Sequence, residues 1–539
     1  MLSLQNKGHE RSDLLELLEK RVSAFKNKYR QNIAIIGHQA LGKTALVFDL
    51  LKIIKDGAII PIYLQVKTKS FELFTKNFIG VLLYEYLALE TGEIEDSFEF
   101  LLAKCKETAP KTAKAINNIN KLLKDEAEYD EIYTQLLDLP QILYDETKKP
   151  VLLIFDEFQN LEDFKLSNPF LELSNKIMVQ KNTMYIVVSS QIHNSLNILS
   201  KKLSLLFGNF EMINVQPFDN NIAGQFIENK LDKIKIDCLL KNFIIHFSGA
   251  YPFYLSVICE QLKCICLENS IETVTEKELL LSLIELMHND HGVINQYFNH
   301  KYHAILNINH KNLYPLILLV IANGTKKTSQ IGKQLNKKAP EINRHLTALA
   351  QKDIISKRGV FNEINDPLLI YWLRFVMAKQ ENSFSTDQEK ATRRFEADIQ
   401  GLLKLFIQES EKKVPQRLKE VFELFENDIV ELDRKRFMLT HFDEIDIHDN
   451  NGACLVNARR LKKSWICCIE KNFVDEAKIG YFLEKAKRKE FIKKILITLD
   501  GIDANARLKA LDAKVWIWDQ NILNELLTLF EKPRLIKCE

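Results

Sequence analysis

Residues 37–44 read Gly-His-Gln-Ala-Leu-Gly-Lys-Thr, the spacing G-x-x-x-x-G-K-T. Gly37 and Gly42 let a backbone curl until successive N–H groups point inward, and such a nest of donors holds phosphate oxygens. His38, Gln39, Ala40 and Leu41 add their main chain to that nest. Lys43 is placed to reach β- and γ-phosphates, and the Thr44 hydroxyl suits a magnesium ion. Ala45 opens a helix whose N-terminal dipole adds partial positive charge.

A second group follows at residues 150–157, Pro-Val-Leu-Leu-Ile-Phe-Asp-Glu. Five apolar residues end in two carboxylates. Asp156 would hold the magnesium shell, and Glu157 would orient and deprotonate an attacking water. A third run, Met184-Tyr-Ile-Val-Val188, ends in Ser189, Ser190 and Gln191, which makes Ser190 a candidate γ-phosphate sensor. The chemistry these groups serve together is magnesium-dependent transfer of a phosphoryl group from ATP to water.

Such side chains converge only if a parallel sheet holds them at one edge. The runs at 32–36, 58–66, 150–155, 184–188 and 210–215 have strand character, and uninterrupted apolar runs fit strands covered on both faces. A strand inserted between the glycine-loop strand and the Asp-Glu strand would suit an NTPase with a catalytic glutamate. The fold class expected is α/β, with a helical insertion at about 70–147 inside an ATPase core spanning 1–218. Residues 9–29 predict an amphipathic helix in front of it.

Composition narrows the rest. The 539 residues are 46% hydrophobic and 27% charged, enough for several cores, and the formal net charge is only +2. No global field draws the chain to nucleic acid or membrane, so any such binding needs a local patch. No apolar run approaches the ~20 residues that span a bilayer, and a signal-peptide core is missing, so a cytoplasmic protein with nine reduced cysteines is expected. Cys259, Cys264 and Cys266 lack a second pair at zinc-ligand spacing.

Beyond the core, residues 219–300 predict a helical lid, in which Pro252 opens a new helix. Residues 301–377 give three helices and a hairpin tipped by Gly359, the pattern of a winged helix-turn-helix, with Thr328 as a helix cap. Asn343, Arg344 and Thr347 would face double-stranded DNA from its third helix, with Lys337, Lys338, Lys357 and Arg358 near phosphates. A protein-packing module explains the same pattern, and both readings stand. Residues 378–435 are a charged helical connector, and 436–539 return to mixed α/β.

The ordered set of motifs resembles the archaeal-type ATPases of the STAND class of P-loop NTPases. The resemblance rests on 37–44, on Leu-Leu-Ile-Phe-Asp-Glu-Phe-Gln at 152–159, on Val-Val-Ser-Ser at 187–190 and on Leu-Phe-Gly-Asn-Phe at 206–210. It extends to Ser-Gly-Ala-Tyr-Pro-Phe-Tyr-Leu at 248–255, similar to a glycine-x-proline box, and to Asp-Pro-Leu-Leu-Ile-Tyr-Trp at 366–372. The resemblance implies a nucleotide contact for Pro252. Relatives usually carry arginine where this chain has Asn209, which implies slow hydrolysis or help from Lys201 or Lys202. The C-terminal part resembles a restriction-endonuclease-like domain, whose Asp and Glu-x-Lys on adjacent strands bind magnesium. Asp446 fits the aspartate, but Glu470 and Lys471 are adjacent and alternate faces, so an inactive nuclease fold is expected.

The reading that follows is an ATP-hydrolysing switch with ATP and magnesium as cofactors. It would couple nucleotide state to the winged helix and nuclease-like module, with DNA or a protein as partner, no membrane and a nucleotide-dependent oligomer. Two alternatives are a nucleic-acid-binding protein with little ATP turnover and an ATP-gated nuclease of a defence system.

Overall fold

The structure, a computed structural model, describes residues 11–54, 57–67, 70–92, 95, 97–203, 210–306, 313–381, 388–432, 435–450, 453–461, 463–487 and 491–536. The chain divides into two units, Met1–Phe218 with Gln351–Asp353, and Asp219–Ala350 with Ile354–Glu539.

The first unit is built on a parallel sheet of β1 (Asn32–Ile36), β2 (Ile60–Gln65), β3 (Val151–Asp156), β4 (Thr183–Ser189) and β5 (Phe210–Asn214). The strand order is β2-β3-β4-β1-β5. β1, β3 and β4 are buried along their whole length, as their apolar runs demand when helices cover both faces. The inserted strand is β4, which pairs with β1 on one side and β3 on the other. Because all strands run the same way, their C-terminal ends share one edge. This is the α/β P-loop arrangement expected.

Helices at Phe71–Thr91, Phe98–Thr108, Pro110–Lys124 and Tyr129–Thr147 form the insertion. Ser70 caps the first, with the Leu73 N–H donating to its hydroxyl at 3.3 Å, and Pro110 occupies the first turn of the third, where no N–H is needed. Phe71, Phe74, Phe78, Phe155, Phe158, Phe164 and Phe170 lock these helices onto the sheet in one core. Each fully buried aromatic or aliphatic side chain contributes about 1.5–3 kcal/mol of transfer free energy.

The second unit opens with helices from Asn220 to Leu306, among which β6 (Lys235–Ile236) and β7 (Thr273–Val274) form a short parallel pair. Helices Leu313–Ala322, Thr328–Gln334 and Ala339–Gln351 precede an antiparallel hairpin of β8 (Ile355–Arg358) and β9 (Phe361–Ile364). Thr328 is the first helical residue rather than the cap; its hydroxyl accepts from Asn362 Nδ2 at 3.2 Å. Asp366 caps the helix Pro367–Trp372, and a long helix, Gln388–Glu411, follows.

A hairpin of β10 (Asp428–Leu432) and β11 (Lys435–Leu439) leads into a mixed sheet. That sheet runs β12 (Glu444–Asn450), β13 (Ala453–Arg460), β14 (Lys463–Glu470), β15 (Phe491–Thr498) and β16 (Val515–Trp518) in order. The first three are antiparallel and the last two join in parallel. Its two faces bury separate cores, one around Trp465 and Trp518 and the other around Ile466, Cys468 and Leu496. Among the described cysteines, Cys105, Cys259, Cys264, Cys266, Cys454, Cys467 and Cys468 are free, whereas Cys238 is disulfide-bonded, contrary to uniformly reduced thiols.

Candidate functional site

The glycine loop sits between β1 and the helix Lys43–Ile53, at the C-terminal edge of the parallel sheet. Gly37 is required by space: a Cβ there would lie 2.6 Å from the Val215 carbonyl oxygen. Gly42 is required by conformation, with φ of +77°, and Ala40 also adopts positive φ, at 66°. Alternation of this kind turns neighbouring N–H groups into one concavity. Gln39 and Leu41 lie within that turn and Ala45 in the first turn of the helix.

Lys43 is buried and its ammonium donates to the His38 carbonyl at 2.7 Å. Burial pushes its pKa down to about 8, against the pull of the Glu157 and Asp156 carboxylates. The Thr44 hydroxyl donates to Asp156 Oδ2 at 2.8 Å. One hydroxyl from the first turn of the helix Lys43–Ile53 and one carboxylate oxygen from the end of β3 are the hard oxygen donors that magnesium prefers. Among the described residues no cluster of three or more His, Cys, Asp or Glu side chains is arranged to hold a metal ion.

Glu157 follows Asp156 with φ of 55°, a left-handed conformation that costs a non-glycine residue of order 1 kcal/mol and recurs at functional sites. The bend separates the two carboxylates. Glu157 Oε2 accepts from the Ser190 hydroxyl at 2.8 Å, the Ser190 N–H at 3.2 Å and Gln159 Nε2 at 2.7 Å. Ser190 therefore touches the carboxylate expected to act as base, at the tip of β4 between β1 and β3.

Three further contributors were given no role from the sequence, two of them, Tyr63 and Arg11, outside every motif and the third, Gln159, at the end of the motif at 152–159. Tyr63 donates its phenol to Asp156 Oδ2 at 2.8 Å, and burial together with that carboxylate pushes its pKa up. Its place is fixed by the pairing of β2 with β3, where Gln65 lies opposite Asp156. Gln159 steadies Glu157. Arg11 donates to the carbonyls of Leu41, at 2.9 Å, and Gln216, at 2.7 Å, and so braces the glycine loop from outside.

Lys202 pairs with Glu162, Lys201 is exposed, and Asn209 lies outside the described residues with the rest of 204–209. Pro252 belongs to the second unit, where it opens the helix Pro252–Glu268. Gly249, with φ of +64°, ends the preceding helix and faces Pro367, whose ring a Cβ would strike. Tyr251 donates to the Asn365 carbonyl at 2.9 Å, and Tyr254 to Asp366 Oδ2 at 2.7 Å.

In the hairpin domain Asn343, Arg344, Thr347, Lys337, Lys338 and Lys357 are exposed. Several are engaged internally: Lys357 donates to Asn343 Oδ1 at 3.0 Å and Thr347 Oγ1 at 2.8 Å, and Lys337 pairs with Glu341 at 3.2 Å. Arg358 is turned inward, to Glu363 at 2.9 Å and Glu525 at 2.8 Å. The hairpin tip is tied down although Gly359 and Val360 stay exposed: the Val360 N–H donates to the Ile429 carbonyl at 3.0 Å and Phe361 joins the C-terminal core.

The C-terminal carboxylates do not converge. Asp446 lies opposite Asn457 on β13, and β13 separates it from β14. The β14 residue level with Asp446 is Ile466, so Glu470 lies four residues further along and two strands away. That is roughly 13 Å along the strand and about 10 Å across. The strand next to Asp446 is therefore not the one carrying Glu470, a correction to the expected placement. The positions beside Asp446 hold Asn457 and, two residues on, Arg459, which pairs with Glu444 at 3.5 Å. Glu470 is buried with Lys478 at 3.6 Å, while Lys471 is exposed, as strand alternation requires.

No family model and no curated protein matches the chain. Among solved structures it is similar to a Walker-type ATPase of Pyrococcus abyssi at 16% identity, over 69% of this chain and 99% of that one, with a TM-score of 0.45. It is also similar to the Thermotoga maritima RuvB Holliday junction branch migration motor, at 11% identity over 70% of this chain and 95% of that one, TM-score 0.34. Drosophila ORC, in a structure bound to DNA, aligns at 12% identity over 69% and 93%, TM-score 0.31.

Proposed function

We propose that this protein binds ATP with magnesium at the glycine loop, hydrolyses it, and uses the nucleotide state to set the arrangement of its lid, winged helix and C-terminal module. The observation that supports this most is the pair of contacts at one sheet edge: Thr44 with Asp156, and Glu157 with Ser190. Phosphoryl transfer to water needs positioning and charge stabilisation more than covalent help. Thr44 and Asp156 would hold magnesium, whose charge would offset that of the phosphates. Lys43 exchanges its bond to the His38 carbonyl for phosphate oxygens. Glu157 orients the attacking water and takes its proton, and Ser190, already bonded to Glu157, registers whether the γ-phosphate is there. Tyr63 and Gln159 hold the two carboxylates in their separate roles.

Coupling to the second unit is supported by the segment from Gly249 to Leu255. Its resemblance to a glycine-x-proline box would imply a nucleotide contact for Pro252, and within the second unit Tyr251, Tyr254 and Gly249 tie the segment to Asn365, Asp366 and Pro367. The mixed C-terminal sheet serves in this reading as an assembly module without a nuclease site. Glu157→Gln keeps the shape of the side chain and removes the base. Multiple-turnover phosphate release should fall by ~10²-fold or more while ATP affinity is kept; undiminished release would remove Glu157 from catalysis.

Nucleic-acid binding with little turnover is the second reading, supported by the exposed Asn343 and Arg344 on the helix Ala339–Gln351. Adding duplex DNA to the same assay separates a DNA-stimulated ATPase from a DNA binder that merely holds nucleotide.

A further inference from the structure

The insertion in the ATPase unit carries a surface that none of the above uses. On the helix Pro110–Lys124 the exposed residues are Pro110, Lys111, Lys114, Asn117, Asn118, Lys121 and Lys124. Positions 111, 114, 118, 121 and 124 follow the three-four spacing of a single helix face. The opposite face, with Ala113, Ile116 and Ile119, is buried in the core, so the lysine face is fixed outward. From Thr108 to Lys124 there is no acidic residue, in a chain with 72 acidic residues against 74 Lys and Arg. None of the four lysines has a carboxylate within ion-pair distance of its ammonium among the described residues. Glu146, the carboxylate that feels the Lys111 charge, accepts the N–H of Lys111 at 2.6 Å and the N–H and hydroxyl of Thr112 at 2.7 Å each, which leaves Lys114, Lys121 and Lys124 as the uncompensated part of the face.

This contrasts with the helix Ala339–Gln351 and its hairpin, where Lys337, Lys357 and Arg358 already have internal partners. Solvated helix faces ordinarily interleave Glu with Lys, because like charges three residues apart oppose each other. We propose that the face Lys111-Lys114-Asn118-Lys121-Lys124 docks the phosphate backbone of a nucleic-acid duplex. The lysines span about 20 Å of helix axis, alongside about six phosphates of one strand. The amides of Asn117 and Asn118 add neutral donors of the kind that fix register on a backbone. No aromatic residue is exposed on this helix, so the base-stacking platform that holds single strands is missing. Nor does the face carry the apolar side chains by which amphipathic helices enter a lipid surface. The proposal is independent of the ATPase reading.

The test uses the full chain, a short random-sequence DNA duplex and fluorescence anisotropy across a salt titration. Lys111→Glu, Lys114→Glu, Lys121→Glu and Lys124→Glu combined should weaken binding by at least about 10-fold and flatten the slope of log affinity against log salt by about 0.9 for each phosphate no longer neutralised. The same four positions changed to Arg should bind like wild type, and their change to Gln guards against a charge-reversed variant that does not fold. Ala at Lys337, Lys338 and Lys357 should have the smaller effect. A folded Glu or Gln variant with unchanged affinity and slope overturns the proposal. So does wild-type binding to poly-glutamate or phosphatidylserine vesicles as tight as to the duplex, which would assign the face to an acidic protein or a membrane.

Discussion

The two five-stranded sheets of this chain treat their carboxylates in opposite ways. In the first, Asp156 ends β3, Ser189 ends β4 and Ile36 ends β1 at the glycine loop, and parallel pairing brings all of these ends to one edge. Side chains from positions 44, 156, 157 and 190 then touch without any strand bending to bring them there. In the second sheet β12, β13 and β14 are antiparallel, so successive strand ends alternate between edges. Asp446 sits within β12, whereas Glu470, at the end of β14, lies beside Lys478. A motif made of strand ends survives in sequence as two short runs; a motif made of strand interiors depends on register, which one sequence does not display.

The sharpest way to break the comparison is at Lys43. Its side chain is buried against the loop it serves, and Lys43→Ala removes a ligand contact and little core volume. ATP binding should vanish in calorimetry while the circular dichroism spectrum and melting temperature stay close to wild type. Equal affinity in the two proteins would detach the glycine loop from nucleotide binding altogether.

The same residue gives a pH signature. Only the ammonium form attracts phosphate, and burial has pushed its pKa down to about 8 in the free protein. Protonation is complete well below that value, so ATP affinity should be steady there. Above it the neutral amine dominates, and affinity should decline by up to about tenfold per pH unit. A flat profile up to about pH 10, near the ordinary lysine value, would mean that Lys43 is not the group that holds the phosphates.

Legibility followed the same division. Gly37, Gly42, Lys43, Thr44, Asp156 and Glu157 were readable because loop and strand-end motifs are contiguous, and the flanking apolar runs fixed the sheet that holds them. Ser190 was readable as a strand tip, though not as the partner of Glu157. Tyr63 and Arg11 were invisible because each reaches the site across the sheet or from a neighbouring helix, and no local pattern marks a long-range contact. Arg358 looked like a phosphate ligand because a basic hairpin tip is usually solvated; tertiary packing turned it to Glu363 and Glu525 instead.

Tyr63 offers a finer probe of the first sheet. Its phenol shares Asp156 Oδ2 with the Thr44 hydroxyl, so it orients the carboxylate without holding the ion. Partners of this kind typically matter about 10–100-fold for metal affinity. Tyr63→Phe should raise the magnesium concentration needed for half-maximal ATP hydrolysis by about 10-fold, with the maximal rate nearly restored at saturating magnesium. A loss of maximal rate that magnesium does not rescue would place Tyr63 on the phosphates instead.

The smallest effect belongs to the second sheet. A nuclease centre on such a sheet needs an Asp, a second acid and a Lys within coordination distance of one ion. The residue opposite Asp446 is Asn457, a neutral amide, and two positions further on the same face is Arg459, drawn to Glu444. Glu470 is too far along β14 to substitute, and its buried carboxylate is already beside Lys478. Asp446→Ala and Glu470→Gln should therefore leave plasmid DNA as intact as wild type does with magnesium or manganese, with or without ATP. Nicking that disappears in Asp446→Ala would show that this edge is catalytic after all. Asn457→Glu is the informative reverse: it sets a second carboxylate opposite Asp446 across one strand pair, about 4.5–5.5 Å between Cβ atoms. In a Lys43→Ala background and without nucleotide, Asn457→Glu should gain manganese binding over Lys43→Ala alone, measured by calorimetry. If Asn457→Glu binds no manganese, the register of β12 against β13 rather than the missing acid is what keeps the second sheet from becoming a site like the first.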